Sequence, residues 1–187
     1  MIRLAGWCHD LTDGNFKRLS QLGVDCCDGM PLPTDDRGVF DLDEALKLKR
    51  RIHSWGMQVN RISLPPFSKV FMDGEDGADD EAEVVCDSLR VLGETGYPLG
   101  RVHFEYTTYG WMTGDYTASH RGGYQARGGS LALAEDKSPP PPAEVQEQRW
   151  QRVCAAYERL VPIAEENGVR LMMHPSALGG SDGCIIS

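Results

Sequence analysis

No run of ~18 apolar residues occurs anywhere in the 187-residue chain, so the sequence predicts no membrane-spanning helix. The first residues, Met1 to Trp7, lack the basic stretch followed by a long apolar one that marks export, and a cytoplasmic location is expected. Basic residues are scarce: 19 Lys and Arg stand against 28 Asp and Glu, a net charge of −9. Such a surface repels nucleic acid phosphates and anionic lipid, which argues against nucleic acid or membrane as a partner. None of the six cysteines (Cys8, Cys26, Cys27, Cys86, Cys154, Cys184) forms a CxxC pair, and they read as reduced, packed thiols. Neither GxGxxG nor GxxxxGK[ST] follows the first apolar segment, which removes most of the support for nucleotide binding. No Ser/His/Asp order or reactive-cysteine signature is present either, so nucleophilic catalysis is not expected.

What the chain does have is a junction repeated four times. An amphipathic stretch ends at glycine and a short apolar run follows, at Leu22-Gly23-Val24, Trp55-Gly56-Met57, Thr95-Gly96-Tyr97 and Asn167-Gly168-Val169. Glycine past a helix end takes the left-handed conformation cheaply, and a strand can start at once. The helices carry apolar stripes at helical spacing: Phe16, Leu19 and Leu22; Leu42, Ala45, Leu46, Lys49 and Ile52; Ala82, Val85, Leu89 and Leu92; and Trp150, Val153, Cys154, Tyr157, Leu160, Val161 and Ala164. Asp41 and Glu44 have capping-box spacing, and Pro162 is expected to kink or split the fourth helix. Strands are expected over residues 2–7, 24–27, 57–64, 101–106 and 169–174.

Alternating strands and helices imply an α/β fold of parallel strands, with the site beyond their carboxyl ends. Five strands and four main helices are compatible with part of a (β/α)8 barrel or with an open doubly wound sheet. Long connections fall at 29–40, 65–80 and 107–149, all on that expected active face. The last combines a Tyr-, Trp- and Gly-rich half suited to a substrate wall with a Pro-rich spacer.

Several residues could carry chemistry. His174 ends the fifth strand, where a neutral imidazole can bind a divalent metal or donate a hydrogen bond to a carbonyl. Period-two alternation puts His103 and Glu105 on one strand face; inward, Glu105 could hold metal or move a proton, and outward it would be a surface residue. Arg61 could neutralise a substrate carboxylate or serve as an ion-pair partner. His9, Asp10, Asp25 and Asp28 lie at loop mouths and read as turn or capping residues.

The run from Val161 through Asn167-Gly168 to His174-Pro175 resembles the mannonate dehydratase family of the xylose-isomerase-like barrel superfamily: a Pro-containing helix, an acidic pair, a helix-ending glycine and a strand-ending His-Pro. Gly110 to Asp115 resembles a second stretch of that family, with Trp111 and Asp115 matching and Thr113 standing where the family has arginine. The resemblance implies a partial TIM barrel over residues 1–187 and a metal-dependent lyase of glucuronate catabolism. That enzyme would convert D-mannonate to 2-keto-3-deoxy-D-gluconate with Mn²⁺ or Fe²⁺, using His174 as a metal ligand and Trp111 and Asp115 as substrate contacts, to which the strand positions of Arg61 and Glu105 add two more candidates. After Pro175 the chain departs from the family pattern, which suggests a truncated or frameshifted relative whose unpaired sheet edge favours homo-oligomers. The competing expectations are a sugar isomerase or epimerase of the same superfamily and a non-catalytic sugar-acid binding module. A related DNA-repair barrel ranks last, because it needs a cationic groove.

Overall fold

Three of the helices begin where a short polar side chain satisfies one of their first free amides. In the computed structural model, which describes residues 2–104, 116–119, 121–123, 125–128 and 142–173, Thr12 caps α1 (Asp13–Gln21) by accepting from the Asn15 amide at 3.3 Å. Asp41 caps α2 (Leu42–Ser54) through the Glu44 amide at 2.9 Å, as the capping-box spacing predicts. Ser68 caps a short helix, α3 (Lys69–Asp73), which lies inside the long 65–80 connection and which the sequence pattern did not suggest. Three acidic residues, Asp79, Asp80 and Glu81, occupy the first turn of α4 (Ala78–Thr95), at the positive end of its dipole.

Helix ends follow the repeated junction. Gly23, Gly56, Gly96 and Gly168 all have φ between 66° and 76°, a region costly to any residue with a Cβ, and strands begin within three residues of each. Those strands are β2 (Cys26–Met30), β3 (Gln58–Ser63), β4 (Leu99–Val102) and, after α5 (Ala143–Glu166), β7 (Arg170–Met173). With β1 (Ala5–Trp7) they form one parallel sheet in the order β1-β2-β3-β4-β7. A doubly wound sheet reverses its strand order at a switch point, whereas here every strand pairs with the next sheet strand in the chain. That winding is the one by which a (β/α)8 barrel is built up.

Helices and sheet enclose one apolar core. Ala82, Val85, Leu89 and Leu92 of α4 are all buried in it, as their spacing predicts. In the other helices Phe16, Leu19, Ala45, Ile52, Val153, Leu160 and Ala164 are buried as expected, whereas Leu22 and Trp150 are exposed, Leu48 rather than Leu46 is buried, and Ala156 joins the core. A small and aliphatic stripe lets α5 approach α4 closely, and Trp150, one residue from the buried Arg149, faces away. α5 is not split at Pro162. That residue and Glu158, whose carbonyl loses its amide donor there, are both exposed, so water can take the freed bond. Within 107–149 the structure shows an antiparallel pair, β5 (Tyr116–Ser119) and β6 (Gln125–Gly128), and α5 starts seven residues before Trp150.

Which face of the sheet meets the helices follows from the glycines. A Cβ on Gly6 would touch Leu19 and Val24, and one on Gly100 would touch Leu64 and Leu92, so both point into the core. Their neighbours Trp7 and Arg101 therefore stand on the opposite, inner face. Parallel register carries that face across the sheet: Trp7 pairs with Asp28, Asp28 with Arg61, and Arg101 with both Ser63 and Met172.

Candidate functional site

The inner-face row lies toward the carboxyl ends of the strands, where α/β folds place their chemistry. Arg61 is its centre. Its side chain is only 7% exposed, and Nη2 donates to Oδ2 of Asp28 at 2.5 Å. The other carboxylate oxygen of Asp28 accepts from the Asn60 amide at 2.7 Å, so Asp28 is a clamp between two side chains of β3 and neither a cap nor a turn residue. Nη1 of Arg61 points at the sulfur of Met172, 3.9 Å away on β7. The guanidinium lies 5.4 Å from the Trp7 ring centre, near enough for a cation–π contact, and Trp7 packs in turn on His9 at 4.6 Å between ring centres.

Gly29 makes this packing possible. It has φ +65°, and a Cβ there would sit 2.8 Å from the Trp7 ring and 3.1 Å from Nη2 of Arg61. The register shifts of β2 at Cys27/Asp28 and Asp28/Met30 bracket the same place, as bulges do where a strand re-aims its side chains.

A second cation stands beside the first. Burial and the neighbouring Arg61 charge pull the Arg101 guanidinium below its ordinary pKa, and Asp28 opposes them. The Nε groups of both Arg61 and Arg101 are buried without a hydrogen-bond partner. Two guanidiniums thus share one carboxylate on an inner face of an otherwise acidic chain. An arrangement of this kind receives an anion.

Among the residues named from sequence, Arg61 is placed on this face, whereas Glu105, Trp111, Asp115 and His174 lie outside the described residues. Phe104 is buried and stacks on Phe67 with ring centres 5.0 Å apart, which sets His103, exposed, on the same face as Arg101. Asp10 and Asp25 behave as loop residues: Asp10 accepts from the amide and hydroxyl of Thr12, and Asp25 from the Leu4 amide. Sequence reasoning did not single out Arg101, although period-two alternation puts it in line with His103.

The donors present do not make a metal centre. Among the described residues no group of three or more His, Cys, Asp or Glu could hold a metal ion. Both oxygens of Asp28 are already committed to Arg61 and Asn60, so Asp28 is no metal ligand here and no step is routed through a metal. No helix among the described residues is long and apolar enough to cross a membrane.

No protein-family model matches the chain, and no curated protein matches its sequence significantly. Solved structures do match it. The mannonate dehydratase from Streptococcus suis serotype 2 overlays on 100% of the chain with a TM-score of 0.80 at 18% identity. A D-psicose 3-epimerase solved in the presence of D-fructose overlays on 93% with a TM-score of 0.58 at 8% identity. The D-psicose 3-epimerase from Clostridium cellulolyticum H10, solved with D-tagatose, also overlays on 93%, with a TM-score of 0.55 at 12% identity. The chain spans 58% of the dehydratase and 52% of each epimerase. Its fold is therefore that of part of a (β/α)8 barrel, and the solved structures it resembles include sugar-processing enzymes.

Proposed function

We propose that this chain is part of a sugar-acid hydro-lyase of the mannonate dehydratase type, converting D-mannonate to 2-keto-3-deoxy-D-gluconate. The observation that carries the reading is the Arg61 guanidinium, held by Asp28 on the inner face near the strand ends. A neutral sugar brings no charge to a face where one Asp28 carboxylate stands against the Arg61 and Arg101 guanidiniums, whereas a sugar acid brings a second carboxylate. In the reaction the proton on the carbon next to the carboxylate leaves, the neighbouring hydroxyl departs as water, and the resulting enol becomes the 2-keto acid. Negative charge builds on the carboxylate as that proton goes, so a fixed guanidinium there stabilises the transition state more than the ground state.

The reading includes a divalent cation, Mn²⁺ or Fe²⁺, with His174 as its ligand and with Trp111, Asp115 and Glu105 as substrate contacts. The assignments of His174, Trp111 and Asp115 rest on the family resemblance and that of Glu105 on strand alternation, and the part given to Arg61 does not depend on them. A second reading, a ketose isomerase or epimerase, is favoured by the likeness to the two epimerases.

Incubating the protein expressed from its complete reading frame, with Mn²⁺, separates the two. Formation of the 2-keto-3-deoxy acid from D-mannonate, with D-fructose unchanged, is expected; epimerisation of D-fructose with D-mannonate untouched would reject the dehydratase. Arg61→Gln is expected to lower kcat/KM for D-mannonate by about tenfold to a hundredfold, the worth of one charge-assisted hydrogen bond.

A further inference from the structure

Arg101 has no part in the reading above, yet it stands beside Arg61 on the same face with a buried, unpartnered Nε. We propose that Arg101 and Arg61 together form a two-armed receptor for the carboxylate of a small hydroxy acid, and that Arg101 decides between acid and neutral sugar. The inference rests on the reading above for its choice of ligand; the site itself is drawn from the geometry alone.

Three observations carry it. First, the two arms are built differently. Arg61 is fixed on three sides, by Asp28 at 2.5 Å, Met172 at 3.9 Å and the Trp7 ring, and is 93% buried. Arg101 is partly exposed, and among its surroundings the charges acting on it are Arg61 and Asp28. A fixed arm and an open arm suit a ligand that enters from the open side.

Second, the charges do not balance. Asp28 is hydrogen-bonded to Arg61 and Asn60 and acts on Arg101 only through its charge, so among the described residues one carboxylate stands against two guanidiniums on this face. Bringing two guanidiniums together is unfavourable, and a bound monoanion relieves that repulsion as well as accepting hydrogen bonds. A neutral polyol does neither.

Third, the buried Nε of each arginine is a donor out of reach of bulk water. Leaving such donors unsatisfied keeps both cations poorly compensated, and a carboxylate, with two oxygens and about four lone-pair directions, can accept from the remaining N–H groups of the partly exposed arm while its charge offsets both. Arginine's planar fork fits this task better than a lysine ammonium would.

Calorimetry on the full 187-residue chain tests the proposal, with D-mannonate as the charged probe and D-mannitol as its uncharged counterpart. Binding of D-mannonate at a single site is expected, with no heat from D-mannitol. Arg101→Gln is expected to weaken D-mannonate by about tenfold or more, the loss of one charged arm. Arg101→Lys keeps the charge and loses the fork, with an expected loss of about fivefold. Arg37→Gln, which removes the same charge from the exposed pair with Asp87, leaves the affinity unchanged.

Native-like R101Q that binds D-mannonate within about twofold of the wild type overturns the proposal, since a charged arm is worth more than that. Equal binding of D-mannitol overturns it too, as does absence of D-mannonate binding. If R101Q does not fold, unchanged affinity in R101K overturns it instead. The two ideas fail separately. Turnover of D-mannonate with an unaffected R101Q leaves the dehydratase standing without the receptor, and Arg101-dependent binding without turnover leaves the receptor without the dehydratase.

Discussion

Removing Asp28 should make the protein less stable and at the same time a better anion binder. In Asp28→Ala the Arg61 guanidinium loses its 2.5 Å partner while remaining 93% buried, and Arg101 remains beside it. Stripping one partner from a buried ion pair costs about 3–5 kcal/mol; because Asp28 retains some contact with water, the lower end, about 3 kcal/mol, applies. For a chain of this size that lowers Tm by about 6–12 °C. Arg61→Met added to Asp28→Ala removes the stranded cation and substitutes an apolar side chain of similar length, and is expected to recover more than half of the loss. D-Mannonate should bind the single variant more tightly than the wild type, because the carboxylate that competed for Arg61 has gone. Circular dichroism melts and calorimetry read the two effects. A melt within about 2 °C of the wild type would refute the burial argument, since it amounts to under 1 kcal/mol. A fall in both stability and affinity would refute the electrostatic one.

Other perturbations address neighbouring parts of the structure. Gly29→Ala meets both a positive φ and the Trp7 ring, and should cost about 2–4 kcal/mol, whereas Gly23→Ala, with nothing within 4 Å of the new Cβ, should cost only the backbone strain of about 1–2 kcal/mol; equal urea midpoints would refute the close approach at Gly29. Burial raises the Asp73 carboxyl, but hydrogen bonds from Lys69 and Arg149 outweigh it and hold the group below its ordinary 3.8. The Asp73–Arg149 tie between α3 and α5 therefore contributes its full stability above about pH 4 and loses it as pH falls through the lowered value. Asp73→Asn should flatten that acid limb in urea titrations, and an unchanged limb would contradict the assignment. Burial pushes the Cys27 thiol up to about 12, so iodoacetamide at pH 8 should label it only after unfolding; rapid labelling of the native protein would show that the site is open.

The fold was legible because its signals are local. A glycine that must turn left-handed is a property of one residue and its helix end, and the four junctions marked the four main helices and the strands after them. Boundaries and rotations were less so. Residues 2–7 read as a strand from composition, yet the ladder covers Ala5–Trp7, and Leu4 before it is tied to Asp25 and Cys26 by single hydrogen bonds, its amide going to the Asp25 side chain. Leu22 and Trp150 fit the helical spacing, but helix-to-helix distance decides which edge of a broad stripe is buried. The choice between barrel and doubly wound sheet depended on strand order, a long-range property that element counts do not contain.

The site was half legible for a related reason. Arg61 could be named because a basic residue inside an apolar strand stands out, but its meaning depended on Asp28, 33 positions away in the chain. That pairing is set by the register of β2 on β3, which two bulges shift, and no periodicity in either segment records it. Arg101 went unnoticed because a residue at the start of an expected strand carries no face until the sheet assigns one. Gly100 supplies that assignment: its missing side chain admits Leu64 and Leu92 and turns the next residue inward. The two arginines are far apart in sequence and meet only through β3–β4 pairing, Ser63 opposite Arg101. Charge excess on an inner face is thus a tertiary quantity. In a chain of net charge −9 it runs against the composition, and only the register of the sheet reveals it.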